Sequence, residues 1–271
     1  MPAKPHVSAA IFTCERTNMF RPVLLLLWAF MGLSTPAWSE GFAPPKPDHR
    51  NFVVNEASVN QAARTLGFVI SQTVTLNTIA LEHPDLARIA EARRVAFDAS
   101  FGFPELRAKW FLEYAVGKER TDGFAADLER QAREAVQNVP KANAEAFLTE
   151  MNQRVEGRLD ETVLKAMLWL KNSAQPSIEM RDWRQRFSSA NHPKAAGLDI
   201  VLSAPLSWDH QEGDRPHIVG KWTSQNGTGD IVVILLVREL PGEFSFEDVL
   251  AVEKEQDWDW PKSNVKVSWS N

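Results

Sequence analysis

The chain has 271 residues, 44% of them hydrophobic and 24% charged, with 35 acidic side chains against 30 basic ones. The apolar share and the ten tryptophans exclude a disordered chain. A net charge of −5 argues against nucleic acid or anionic lipid as the main partner, and Cys14, standing alone, rules out an internal disulfide framework.

The first element is an apolar run from Val23 to Leu33, preceded by Arg21 and followed by Ser34-Thr-Pro-Ala-Trp-Ser39. A bilayer-spanning helix needs roughly 20 apolar residues, so this run is too short. A positive flank, a short apolar core and small residues at Ala37 and Ser39 are the pattern of an export signal cut between Ser39 and Glu40. Pro36 stops the apolar helix before the cut. The competing reading is an uncleaved N-terminal anchor. Two starts fit: Met1 with a long leading region, or Met19, from which a compact signal would run. Cleavage would remove Cys14 together with Lys4, Arg16, Arg21 and Glu15, leaving a cysteine-free and more acidic chain. No cysteine follows the apolar core, so a lipid anchor is not expected. The expected compartment is the bacterial periplasm or the exterior, with no stable membrane insertion after cleavage.

Residues 40–54 contain Gly41-Phe-Ala-Pro-Pro-Lys-Pro47 and read as an extended Pro-rich tether. From 55 to 176 apolar residues recur at helical spacing. Val59, Ala62, Ala63, Leu66, Val69, Ile70 and Val74 form a first stripe. His83-Pro84-Asp85 predicts a second helix start, with Pro84 in the first turn and Leu86, Ile89, Ala90 and Phe97 facing inward. Gly102 and Pro104 separate a third helix, whose stripe of Leu106, Trp110, Phe111 and Tyr114 is read as core. Thr121-Asp122 predicts the cap of a fourth helix, carrying Phe124, Leu128, Ala132, Ala135 and Val136. Pro140 precedes a fifth with Phe147, Leu148, Met151 and Val155, closed by Gly157. Asp160 caps a sixth through Val163, Leu164, Met167 and Leu168, and Gln175-Pro176 ends it. Six short helices with short links predict an all-α region. His83 is read as exposed or as a cap. Glu129-Arg130 and Arg133-Glu134 are read as a solvated face with i,i+4 pairs. No His-Glu-x-x-His or Glu-x-x-His spacing suggests a metal in the bundle.

From 177 to 271 the period changes. Trp183 to Phe187 alternates aromatics with polar residues, and Leu198, Ile200, Leu202 and Ala204 alternate again. The stretch Asn191 to Gly197 forms a hairpin loop between them. Asp209 to Pro216 reads as a polar loop and His217 to Ser224 as a third strand. Asn226-Gly227 reads as a hairpin turn, and Ile231 to Val237 as a central strand buried on both faces. Ser245-Phe-Glu-Asp248 predicts a helix start, and Val265, Val267 and Trp269 a last strand. The order implies an α+β fold: an N-terminal all-α region, then a small antiparallel sheet with a packed helix.

The run from Phe187 to Gly229 carries a Pro-x-x-Trp step at Pro205 and Trp208, a polar loop and an aromatic-bearing strand at Trp222. It resembles the start of the PsbP/Mog1-like fold, over about residues 183–260. The resemblance implies a mostly non-enzymatic binding or assembly factor and transfers no active-site residues. It also implies further strands after the helix, so the end at Asn271 predicts either a short version of the domain or a truncated reading frame, with Val265–Trp269 then at a sheet edge.

Asp209, His210, Glu212, Asp214 and His217 form the densest polar cluster. Their chemistry suits a divalent metal, but their spacing matches no known box, and a solvated loop is the preferred reading. Ser188, Ser189 and His192 lie close in sequence without a Gly-x-Ser-x-Gly elbow. Asn226-Gly-Thr228 matches a glycosylation sequon that the hairpin already explains. Phe244, Phe246, Trp258 and Trp260 are read as closing the sheet over its helix, with an exposed aromatic patch as the alternative. No catalytic, cofactor-binding or metal-binding residue is assigned. The expected function is non-catalytic binding or assembly in the bacterial cell envelope, with an unknown protein or small ligand as partner. The alternative is an envelope hydrolase whose metal or carboxylate site is assembled across the two halves.

Overall fold

A computed structural model of the protein describes Lys46, Asp48 and residues 52–237. The export segment, most of the Pro-rich tether, the helix expected from Ser245, the strand expected at Val265–Trp269 and the aromatics at Phe244, Phe246, Trp258 and Trp260 lie outside the described residues.

Among the described residues seven α-helices precede five strands: α1 Glu56–Glu82, α2 Ala87–Phe101, α3 Pro104–Val116, α4 Lys118–Ala135, α5 Lys141–Val155, α6 Glu161–Asn172 and α7 Pro176–Asp182, then β1 Arg184–Ser188, β2 Val201–Pro205, β3 Asp209–Gln211, β4 Ile218–Thr223 and β5 Val232–Leu236. The class is α+β, with a helical region followed by small antiparallel sheets. Local chemistry explains the element ends. Asn55 accepts from the Ser58 amide while the Ser58 hydroxyl accepts from Asn55 N–H, a reciprocal cap that starts α1. Asp160 caps α6 by accepting from Val163 N–H at 3.1 Å. Gly102 (φ +66°) follows α2 in the left-handed region.

The α1 and α6 helices are the spine. The inward face of α1 is the expected stripe of Ala62, Leu66, Val69, Ile70 and Val74, extended by Leu76 and Ile79. Nearly every residue of α6 from Val163 to Leu170 is buried, because helices pack on both of its flanks. Two apolar clusters share this spine. One joins α1, α2, α5 and α6 around Phe97, Phe101, Met151, Met167 and Leu168. The other joins α1, α3, α4 and α6 around Leu66, Phe111, Leu112, Trp169 and Leu170. Phe52, Phe111 and Trp169 meet edge to face, with centroids 5.2–5.8 Å apart.

Four helix details differ from the sequence expectation. First, α2 begins at Ala87; His83 to Leu86 form a turn in which His83 C=O accepts from Leu86 N–H, so Pro84 lies ahead of the helix. His83 itself caps the end of α1, and its Nε2 lies 2.7 Å from Val139 O. Ile89 is 43% exposed. Second, α3 buries Ala108, Phe111 and Leu112, whereas Tyr114 is 50% exposed. Leu106, Trp110 and Tyr114 are spaced by four and form a stripe on the other side of the helix, so the sequence contained two apolar stripes and packing chose one. Third, Thr121 lies inside α4, its hydroxyl donating to Gly117 C=O one turn back, and does not cap it. Phe124, one face round from buried Ala125, is 40% exposed. Fourth, Pro176 begins a short additional helix, α7.

The strands form two sheets. β1 and β2 pair antiparallel, Phe187 opposite Leu202. The second sheet has the order β3-β4-β5, antiparallel throughout, with His210 opposite Trp222 and Trp222 opposite Val233. Asp209–Gln211, expected as loop, is therefore a strand. β5, expected as a central strand buried on both faces, is the outermost strand of this sheet among the described residues, and only Leu235 of its five residues is buried. An apolar run has no period to say whether both faces will be covered. A third apolar cluster, built on Trp208, Val219, Trp222 and Leu235 with Phe187 and Leu202 against it, joins the two sheets.

Candidate functional site

The helical and strand-bearing parts meet where α6 and α7 pack against the β2–β3 connection and the β4–β5 turn. The short helix α7 delivers Glu179 to this seam. Pro176 at its start has no N–H to satisfy, and Glu179 falls in the first turn, where the helix dipole favours a carboxylate. Glu179 is 2% exposed. Ser207 donates its backbone N–H to Oε1 at 2.7 Å and its hydroxyl to Oε2 at 2.8 Å. Burial pushes the Glu179 carboxyl up from the ordinary range, and the bonds from Ser207 and Asn172 and the charge of Lys171 only partly offset it. Lys171 is itself lowered by burial and donates to Ser100 C=O at 2.7 Å.

Opposite Glu179 is the β4–β5 turn. Gln225 and Asn226 adopt positive φ (+50° each), a conformation that costs a non-glycine residue energy and must be held by its surroundings. Several bonds hold it. Gln225 Oε1 accepts from Val53 N–H at 2.9 Å, Asn55 Nδ2 donates to Thr228 C=O at 3.0 Å, and Asn226 N–H donates to Ser207 C=O at 2.8 Å. Gln61 accepts from Trp169 Nε1–H at 3.1 Å and reaches Asn226 C=O. Ser207 thus links Glu179 of the helical part to the turn of the sheet. Between them is a cavity of about 30 Å³, lined among others by Trp169, Asn172, Glu179, Ser207 and Gln225. It has room for a water molecule. Gln225 Nε2 is buried and has no hydrogen-bond partner among the described residues; its amide orientation is set by the Val53 bond on the other atom.

The polar cluster noted in the sequence is dispersed. His210, on β3, stacks on Trp222 of β4 (centroids 4.7 Å, 27°) and lies 5.0 Å from Phe187 of β1. Gly220 makes this stack possible, because a Cβ there would come within 3.0 Å of His210 Nε2 and 2.9 Å of the Trp222 ring. Burial and the neighbouring His192 hold His210 below its ordinary value, against the pull of Asp209. Glu212 pairs with Lys194 at 3.1 Å and is lowered by it. Asp209 accepts from Gln211 Nε2, and His217 contributes its carbonyl to Val237 N–H. Among the described residues no three His, Cys, Asp or Glu side chains gather to hold a metal ion. Ser188 donates to Asp199 Oδ1 at 2.8 Å, Ser189 donates to Leu198 C=O at 2.7 Å, and His192 Nδ1 accepts from Lys194 N–H, so all three serve the β1–β2 hairpin loop. On α4 the expected pairs form, Arg133 with Glu129 and Arg130 with Glu134.

Glu179, Ser207 and Gln225 were not singled out by sequence. The one available signal was Pro-Ser-Ile-Glu at 176–179, a helix start with an acid in its first turn. No helix of the described residues is long and apolar enough to cross a membrane. Compared with family models, with curated proteins and with solved structures, the chain matches none.

Proposed function

We propose that the chain is an exported, non-catalytic binding or assembly factor of the bacterial cell envelope, acting in the periplasm or outside the cell, with a strand-bearing part of the PsbP/Mog1-like kind. The observation that carries this reading is β5, the outermost strand of the second sheet among the described residues. Ile231, Val232, Val233, Ile234 and Leu236 are each 39–50% exposed, an apolar surface that continues on both faces of one strand. Contiguous apolar surface of this sort is the usual mark of a contact with another macromolecule. An edge strand recognises an extended segment by completing its backbone ladder, while alternate side chains supply selectivity. The partner is therefore an extended, apolar segment of another envelope protein. The run Val23–Leu33 with Ala37 and Ser39 supports export.

The hydrolase alternative, a metal or carboxylate site between the two halves, would be favoured by a deep polar pocket joining His210 or His217 to carboxylates of the helical part. His210 stacks on Trp222, whereas both oxygens of the buried carboxylate at the seam are engaged by Ser207. A cavity of about 30 Å³ is also far below the roughly 300 Å³ of a small-molecule site. These geometries favour binding over hydrolysis.

The test compares the wild-type protein with Val233→Lys and Ile234→Lys in crosslinked envelope extracts. Both positions are exposed, so the urea midpoint should be unchanged. A partner recovered by the wild type and lost in both variants, together with slowed hydrogen exchange of the β5 amides in the complex, supports the reading. Equal recovery by all three proteins, or no partner for any, overturns it.

A further inference from the structure

We draw no further inference here: the strongest candidate, the polar cavity between α6, α7 and the β4–β5 turn, belongs to the site already described, and its orphaned donor on Gln225 selects no ligand over a water molecule.

Discussion

Replacing Glu179 tests the seam directly. Glu179→Ala removes both acceptors at once. Ser207 keeps a buried backbone N–H with nothing to receive it, and its hydroxyl loses its partner in the same place. A buried polar group left without a partner costs about 1–3 kcal/mol. The hydroxyl can turn toward another acceptor and the amide cannot, and removing the carboxylate also ends its own desolvation cost. The net loss should be about 1–3 kcal/mol, read as a lower urea midpoint by tryptophan fluorescence, since Trp169 and Trp208 line the same cavity. Glu179→Gln keeps one acceptor for the amide and offers an N–H to the Ser207 hydroxyl, so it should cost less than Glu179→Ala.

The two variants also separate charge from contact. Because the folded carboxyl is raised above its ordinary 4.5, the folded state holds the proton more tightly than the unfolded chain. Stability from this group should therefore rise as pH falls through the raised folded value, be complete below 4.5, and be lost as pH rises again. Other carboxyls titrate in this range. Asp98 is raised to about 6 by burial, against the pull of Arg94. The difference between wild-type and Glu179→Gln curves isolates the contribution of Glu179. A flat difference between pH 4.5 and neutrality, together with Glu179→Ala unfolding at the wild-type midpoint, would refute the account of the seam.

Other substitutions probe separate parts of the fold. Leu168→Ala, at a fully buried position of α6, should lower stability by about 2–5 kcal/mol, measured by urea unfolding. Gly157→Ala should lose about 1–3 kcal/mol in the same assay, because φ is +86° and a Cβ would sit 2.4 Å from the Trp183 ring. Asp160→Ala should cost about 1 kcal/mol through the lost cap of α6, and Asp160→Asn should restore most of it. Charging the imidazole stacked on Trp222 should change indole emission with a midpoint below 6.5, and His210→Gln should abolish that step; a step that persists in the variant rejects the assignment. Since the folded His210 value is depressed, its stabilising contribution is present above the unfolded value and lost as pH falls through the folded one.

Much of the helical part was legible because its signals are local. Asp160 one residue before an apolar-periodic run, Gly157 after another, and the α1 stripe from Ala62 to Val74 depend on neighbours within a few residues. The hairpin between β1 and β2 and the positive-φ turn at Asn226-Gly227 were readable for the same reason. The candidate site was not readable. Glu179 accepts from a residue 28 positions away, and Gln225 from one 172 positions away. A lone Glu in a polar stretch and a Gln before Asn-Gly look like surface residues until packing buries them.

Thus the sequence alone determined the six longer helices, the β1–β2 hairpin, the cap at Asp160 and the change of period near residue 176, since each rests on backbone preference and short-range hydrophobic spacing, whereas the short helix α7 and the strand at Asp209–Gln211 were not legible in it. Tertiary structure decided which of two stripes on α3 became core, that the apolar run at β5 is outermost in its sheet among the described residues with most of its side chains exposed, and that one carboxylate would be buried at the seam. Those outcomes depend on what packs against each face, a property of elements far apart in the chain that no local pattern records.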